Sequence, residues 1–132
     1  MLNRPVPIWS GWAYDFFTIE KLPTLPLEIY YITVTARARR EGGTMNYRII
    51  RTGIRTHGRT YWQPTWQPVI KEWRNYNYSW VPNPYTGQPW TYQEINDLQI
   101  AVDIENFPRE GVWEYCLVTQ MYLTVHFRPQ ES

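Results

Sequence analysis

The sequence predicts an all-β fold: an antiparallel β-sandwich or jelly roll, with one short helix near residues 91–97 and an extended N-terminal arm. Three observations carry this reading. Five to eight segments alternate apolar and polar residues with the period of two that sends successive side chains to opposite faces of a strand. Gly, Pro and Asn turn signals separate these segments, with no alternation of strand and helix. Aromatic residues make up 17% of the 132 residues, including eight Trp and eleven Tyr, and such rings favour pleated, half-buried surfaces.

A chain of this length predicts one domain, divided here into an arm at 1–27 and a sandwich at 28–132. The arm holds Pro5, Pro7, Pro23 and Pro26 among Trp9, Trp12, Tyr14, Phe16 and Phe17. Prolines at this density oppose helix and central strand, while the rings oppose simple disorder. An extended segment that lays its rings across a neighbouring subunit satisfies both, which makes these five aromatics the expected interface.

Residues 28–40 form the clearest strand, with Tyr30, Ile32, Val34, Ala36 and Ala38 on one face and Tyr31, Thr33, Thr35, Arg37 and Arg39 on the other. Glu41-Gly42-Gly43-Thr44 reads as a turn. A second, more polar strand spans 45–56, and His57-Gly58-Arg59-Thr60 is another turn. Pro64 and Pro68 predict a loop to about residue 68, followed by a strand near 69–78. In the next segment Asn83-Pro84 and Thr86-Gly87 signal turns, and Thr91 with Glu94 three residues later forms a capping box at a helix start. Leu98, Ile100, Val102 and Ile104 then alternate as a strand. After a loop at 106–111, residues 113–127 predict a long final strand with Tyr115, Leu117, Thr119, Met121, Leu123, Val125 and Phe127 on one face.

Composition excludes several function classes. The net charge of +1 gives no global attraction to nucleic acid or to an anionic membrane. No run approaches the roughly 20 apolar residues of a membrane helix. No signal peptide is read at the N-terminus, and the single cysteine, Cys116, cannot form an intrachain disulfide, so folding in a reducing cytoplasm is expected. Lys21 and Lys71 are the only lysines, leaving eleven of the thirteen basic residues as arginine, the residue better suited to planar, stacked interface contacts. Seven of them (Arg37, Arg39, Arg40, Arg48, Arg51, Arg55 and Arg59) fall in one stretch. Asp103, Glu105, Glu110 and Glu114 form an acidic counterpart. A solvated mixed surface accounts for this pattern, as would a domain basic on one side and acidic on the other that meets copies of itself, or an arginine face that meets phosphate.

No catalytic constellation emerges. His57 and His126 are far apart and read as surface residues. Metal-ligand spacings are missing, so neither a metal nor a cofactor is expected. Asp103 and Glu105 share a strand face, a pairing too common to mark a glycosidase by itself.

The run Asn83-Pro84, Thr86-Gly87, Trp90-Thr91, Ile95-Asn96 and Leu98-Gln99 resembles a segment of β-sandwich proteins from tailed-bacteriophage virions. The order of strands around it, from 29–40 to 116–127, is similar to that group. The block spans about eighteen residues; residues 1–27 and 61–80 lie outside the resemblance. It implies a non-enzymatic virion structural protein, made in the host cytoplasm. The role implied is a homo-oligomeric capsid decoration (cement) protein docking on the major capsid protein through its arm, or alternatively a tail or tail-tip component. Within the block, Asn83, Pro84, Gly87, Trp90, Thr91 and Glu94 all read as folding residues. A different class of function, carbohydrate binding, would rest on the rings of Trp62, Trp66 and Trp73, which could equally serve subunit contact.

Overall fold

The computed structural model describes residues 12–42, 47–107 and 114–128, and statements of absence below refer to these residues. Eight strands and one helical turn follow in order: β1 (Trp12–Thr18), β2 (Ile29–Gly42), β3 (Tyr47–Thr56), β4 (Arg59–Trp62), β5 (Gln67–Val69), β6 (Arg74–Trp80), α1 (Tyr92–Asn96), β7 (Gln99–Phe107) and β8 (Glu114–Phe127). They form two antiparallel sheets. One has the order β1-β7-β3-β4, with β5 also pairing β3; the other has the order β6-β2-β8. The sheets pack face to face as a β-sandwich.

The core is the meeting of the two inner faces. Phe17, Ile50, Ile54, Ile100, Val102 and Ile104 come from the first sheet. Ile32, Val34, Ala36, Ala38, Tyr76, Val118 and Met121 come from the second. The small Ala36 and Ala38 lie in register with Tyr76 and Arg74 of β6, and Tyr76 is buried in the core they line, so small and large residues fill the space between the sheets.

Two strand irregularities change the faces expected from strict alternation. In the ladder of β2 with β8, Arg37 pairs with Gln120 but Ala38 pairs with Val118, leaving Thr119 as a bulge. One extra residue inverts the phase, so Val118 points into the core and the expected face holds only from Met121 onward. A second shift lies between Ile29 and Tyr31; it buries Ile29 and leaves Tyr30 exposed.

The region 59–80 also differs from expectation. Residues 59–62 and 67–69 are two short strands on the same edge of β3, pairing with its end and its beginning respectively. The break between them contains Pro64, which cannot donate to a ladder. Gln63 bridges the gap: its backbone N–H donates to Thr52 O (2.8 Å) and its side-chain Oε1 accepts from Thr52 N–H (3.1 Å). A side chain thus supplies the ladder bond that the broken strand omits. The strand expected near 69–78 begins later, at Arg74.

The N-terminal segment is extended, but from Trp12 it is built into the chain's own fold. β1 pairs with β7 along its whole length, Trp12 opposite Glu105 and Thr18 opposite Gln99, and Phe17 is buried in this chain's core. An arm reaching a neighbour with Phe17 is therefore corrected to an edge strand. Sheet pairing supplies seven residues' worth of partners that a free arm would lack. Trp9 and the side chains of Trp12 and Tyr14 lie outside what is described.

Replacing Gln63 by alanine leaves the buried Thr52 amide unpaired and should cost about 1–3 kcal/mol. Gln63→Met fills similar space without the acceptor and should cost a similar amount, separating the lost hydrogen bond from lost packing. Urea unfolding of the two variants measures both costs.

Candidate functional site

At one end of the sandwich, residues 81–98 carry the chain from β6 in one sheet to β7 in the other. Asn83 is fully buried and organises the turn. Its Oδ1 accepts from Tyr85 N–H (2.8 Å), its carbonyl accepts from Gly87 N–H (2.8 Å), and its N–H donates to Gln88 O (3.0 Å). Gly87 sits at φ +71°, a conformation that L side chains rarely adopt. Trp90 is buried and donates Nε1–H to the Trp80 carbonyl at 3.1 Å. Thr91 and Glu94 form both halves of the capping box: Glu94 N–H to Thr91 Oγ1 (3.1 Å) and Thr91 N–H to Glu94 Oε1 (3.0 Å).

The same block grips two other connections. His57, in the turn between β3 and β4, donates to Glu94 Oε2 at 2.6 Å and stacks on Tyr85 with centroids 4.4 Å apart. Asn96 holds the crossover from β1 to β2 through Leu22, accepting from its N–H (2.7 Å) and donating to its carbonyl (3.3 Å). The Tyr92 hydroxyl donates to Leu27 O at 2.7 Å. The chemistry of Asn83, Gly87, Trp90, Thr91 and Glu94 is therefore used in holding the fold.

A different place has the character of a binding site. On the outer face of the first sheet a cleft of about 450 Å³ is lined by Phe16, Arg51, Arg55, Thr60, Trp62, Asp103 and Glu105. Antiparallel register builds it: Arg51 lies opposite Asp103, Gly53 opposite both Ala101 and Trp62, and Phe16 opposite Ala101. Gly53 makes room for the Trp62 ring, since a Cβ there would come within 2.4 Å of it. The broken edge after β4 lets Trp66 return over the sheet. The Arg51 guanidinium then lies over two indoles, 5.0 Å from the Trp62 ring and 4.2 Å from the Trp66 ring, a cation–π arrangement.

Arg51 also holds Asp103. Nε donates to Oδ2 at 3.0 Å and Nη2 lies 2.9 Å from the same oxygen. The Asp103 side chain is 6% exposed, and its other oxygen, Oδ1, is buried without a hydrogen-bond partner. Burial raises the Asp103 carboxyl above its ordinary value, Arg51 opposes that rise, and the nearby charge of Glu105 adds to it. Arg55 lies over the Phe16 ring at 6.0 Å, and Phe16 sits 6.1 Å from Trp62.

Of the residues singled out in the sequence, the cleft collects Trp62, Trp66 and Phe16. Trp73 is elsewhere: it precedes β6 and stacks with Arg39 of the other sheet at 5.2 Å. The arginine-rich stretch is divided, because β2 and β3 belong to different sheets. Arg51 and Arg55 face Asp103 and Glu105 across one cleft, so these basic and acidic residues converge where opposite sides were one expectation. His126 stacks on Tyr31 (4.0 Å) and bonds the Thr33 hydroxyl (3.0 Å), while His57 contacts Glu94 and Tyr85. Among the described residues no group of three metal-ligating side chains occurs, and no helix is long and apolar enough to cross a membrane. Sequence reasoning missed Arg51 and Asp103 as partners; only the register of β3 with β7 brings them together.

No family model matches the chain, nor does any curated protein or solved structure.

Glu94 generates a prediction. Burial pushes its carboxyl up, but hydrogen bonds from His57 and Thr91 outweigh this and hold its pKa below the ordinary value. A depressed carboxyl contributes stability above the unfolded-state pKa and loses it as pH falls through the folded-state pKa. Glu94→Ala should cost about 1 kcal/mol at neutral pH. Glu94→Gln, which can still complete a capping box, should cost less and should flatten the loss of stability on acidification. Urea unfolding at neutral and acid pH tests both.

Proposed function

We propose that this chain is a non-enzymatic structural protein of a virus particle, a homo-oligomeric capsid decoration protein in type, which associates with copies of itself and with the shell protein. The observation that carries this reading is the edge strand β8. Among the described residues it pairs with β2 on one flank and with no strand on the other. At fourteen residues it runs about 45 Å. An unpaired edge is a template for pairing with another chain, and proteins that stay monomeric guard such edges with Lys, Pro or other charges. β8 has no Lys, Arg, Asp, Glu or Pro after Glu114. A groove of about 260 Å³ runs beside it, lined by Ile19, Leu22, Ile95, Leu123 and Val125 among others. A second copy of β8, antiparallel to the first, would continue the three-stranded sheet. A net charge of only +1 does not oppose self-association.

The resemblance of 83–100 to a segment of phage virion sandwiches supports the setting. Docking on the shell remains assigned to the N-terminal segment, now limited to what precedes β1, because β1 itself is engaged with β7.

Placing a lysine on the exposed outer face of β8, Thr124→Lys, should leave the fold intact and shift the protein from oligomer toward monomer. Sedimentation velocity reads the oligomeric state, and co-sedimentation with virus particles reads docking. A wild-type chain that is monomeric at all concentrations and never co-sediments would overturn the proposal.

A further inference from the structure

We infer that the outer-face cleft binds a neutral carbohydrate, a function independent of assembly through β8. Four features converge on that ligand class. The first is the Asp103 Oδ1 atom, buried in the cleft wall and unpartnered. A buried carboxylate oxygen demands a donor; Oδ1 has almost no accessible surface in the unliganded cleft, so a sugar hydroxyl reaches it with a small shift of the lining side chains. The second is charge balance: Arg51 is committed to Asp103, and the lining holds one further cation, Arg55, and one further anion, Glu105. A phosphate or sulfate would meet two carboxylates, and an amine would meet two guanidinium groups; a polyhydroxyl ligand without net charge meets neither penalty.

The third feature is the pairing of ring and polar group. Phe16 and Trp62 present apolar surface to the cleft, while Thr60, Arg55 and Glu105 offer hydroxyl, donor and acceptor around it. A pyranose has the complementary surface, C–H faces with hydroxyls at the rim. The fourth is rigidity. The lining comes from paired strands β1, β3, β4 and β7, and Trp62 rests on Gly53, so little ordering is needed on binding. The volume of about 450 Å³ falls in the range of small-molecule sites.

The full chain is tested on an array of neutral and acidic oligosaccharides, and a retained neutral glycan is then titrated by calorimetry. Binding to a neutral glycan is expected, with affinity falling about tenfold or more in Asp103→Asn and in Phe16→Ala, the scale of one lost charge-assisted hydrogen bond or ring contact. Glu105→Gln, which leaves the Arg51–Asp103 pair untouched, provides a variant less able to disturb folding and should also weaken binding. Trp73→Ala should bind as wild type does, being outside the cleft. Far-UV circular dichroism confirms that each variant is folded. The inference is overturned if no neutral glycan is retained, if only sulfated, phosphorylated or sialylated glycans are retained, or if folded cleft variants bind unchanged.

Discussion

The capped turn at residues 81–98 is the constraint on which the sandwich depends. A two-sheet fold must cross between sheets repeatedly, and each crossing leaves backbone groups at the ends of strands without ladder partners. Here three crossings or turns meet at one end and share one plug. Trp90 seals the core and uses its indole N–H on the Trp80 carbonyl. Asn96 pairs with both backbone groups of Leu22. Glu94 caps its own helix and holds His57 of the β3–β4 turn. The five-residue helix is too short to be stable alone; its tertiary bonds and its cap make it persist.

The same economy of polar groups explains the cleft. A continuous strand beside β3 would have covered Thr52 with backbone bonds and carried the 62–66 segment straight along the edge. Pro64 forbids that, Gln63 repairs the ladder from its side chain, and the chain is free to fold Trp66 back over Arg51. Interruptions of an edge strand commonly re-aim side chains in this way. Arg51, lying over two rings, is then positioned to hold Asp103, and their mutual engagement is what makes a buried carboxylate tolerable. Its Oδ1 is left buried without a hydrogen-bond partner, a polar group whose desolvation the Arg51 contact offsets only in part.

Much of the architecture was legible because local signals agreed with it. The β2, β3, β7 and β8 strands, the His57-Gly58 turn and the Thr91–Glu94 box follow from period and turn chemistry alone. What alternation could not supply was register. The Thr119 bulge inverts the faces of β8, and nothing in the run Leu117-Val118-Thr119-Gln120 distinguishes a bulge from a regular strand. The pairing of β3 with β7 rather than β2 is likewise long-range, and it decides whether Arg51 meets another arginine or Asp103. Trp62 and Trp66 were visible as candidate contacts, but Trp73 has the same local character and a different destination. A ring's sequence neighbourhood reports its size and polarity, not which sheet it will cover.

The two surfaces are arranged so that one does not obstruct the other. β8 is the edge of the second sheet, whereas the cleft lies on the outer face of the first, built around β7 and β3. Growth of the second sheet across a β8–β8 contact would extend the sandwich sideways and leave each cleft facing outward. Copies held on a particle would then present many identical clefts at fixed spacing. Single-site affinity for a neutral sugar is limited by the few bonds a small cleft can make, but repeated sites raise the effective concentration of each further contact. Weak binding per cleft and assembly through the edge would then be complementary: the edge would supply the valency that a site of balanced charge needs to hold a glycan-bearing surface.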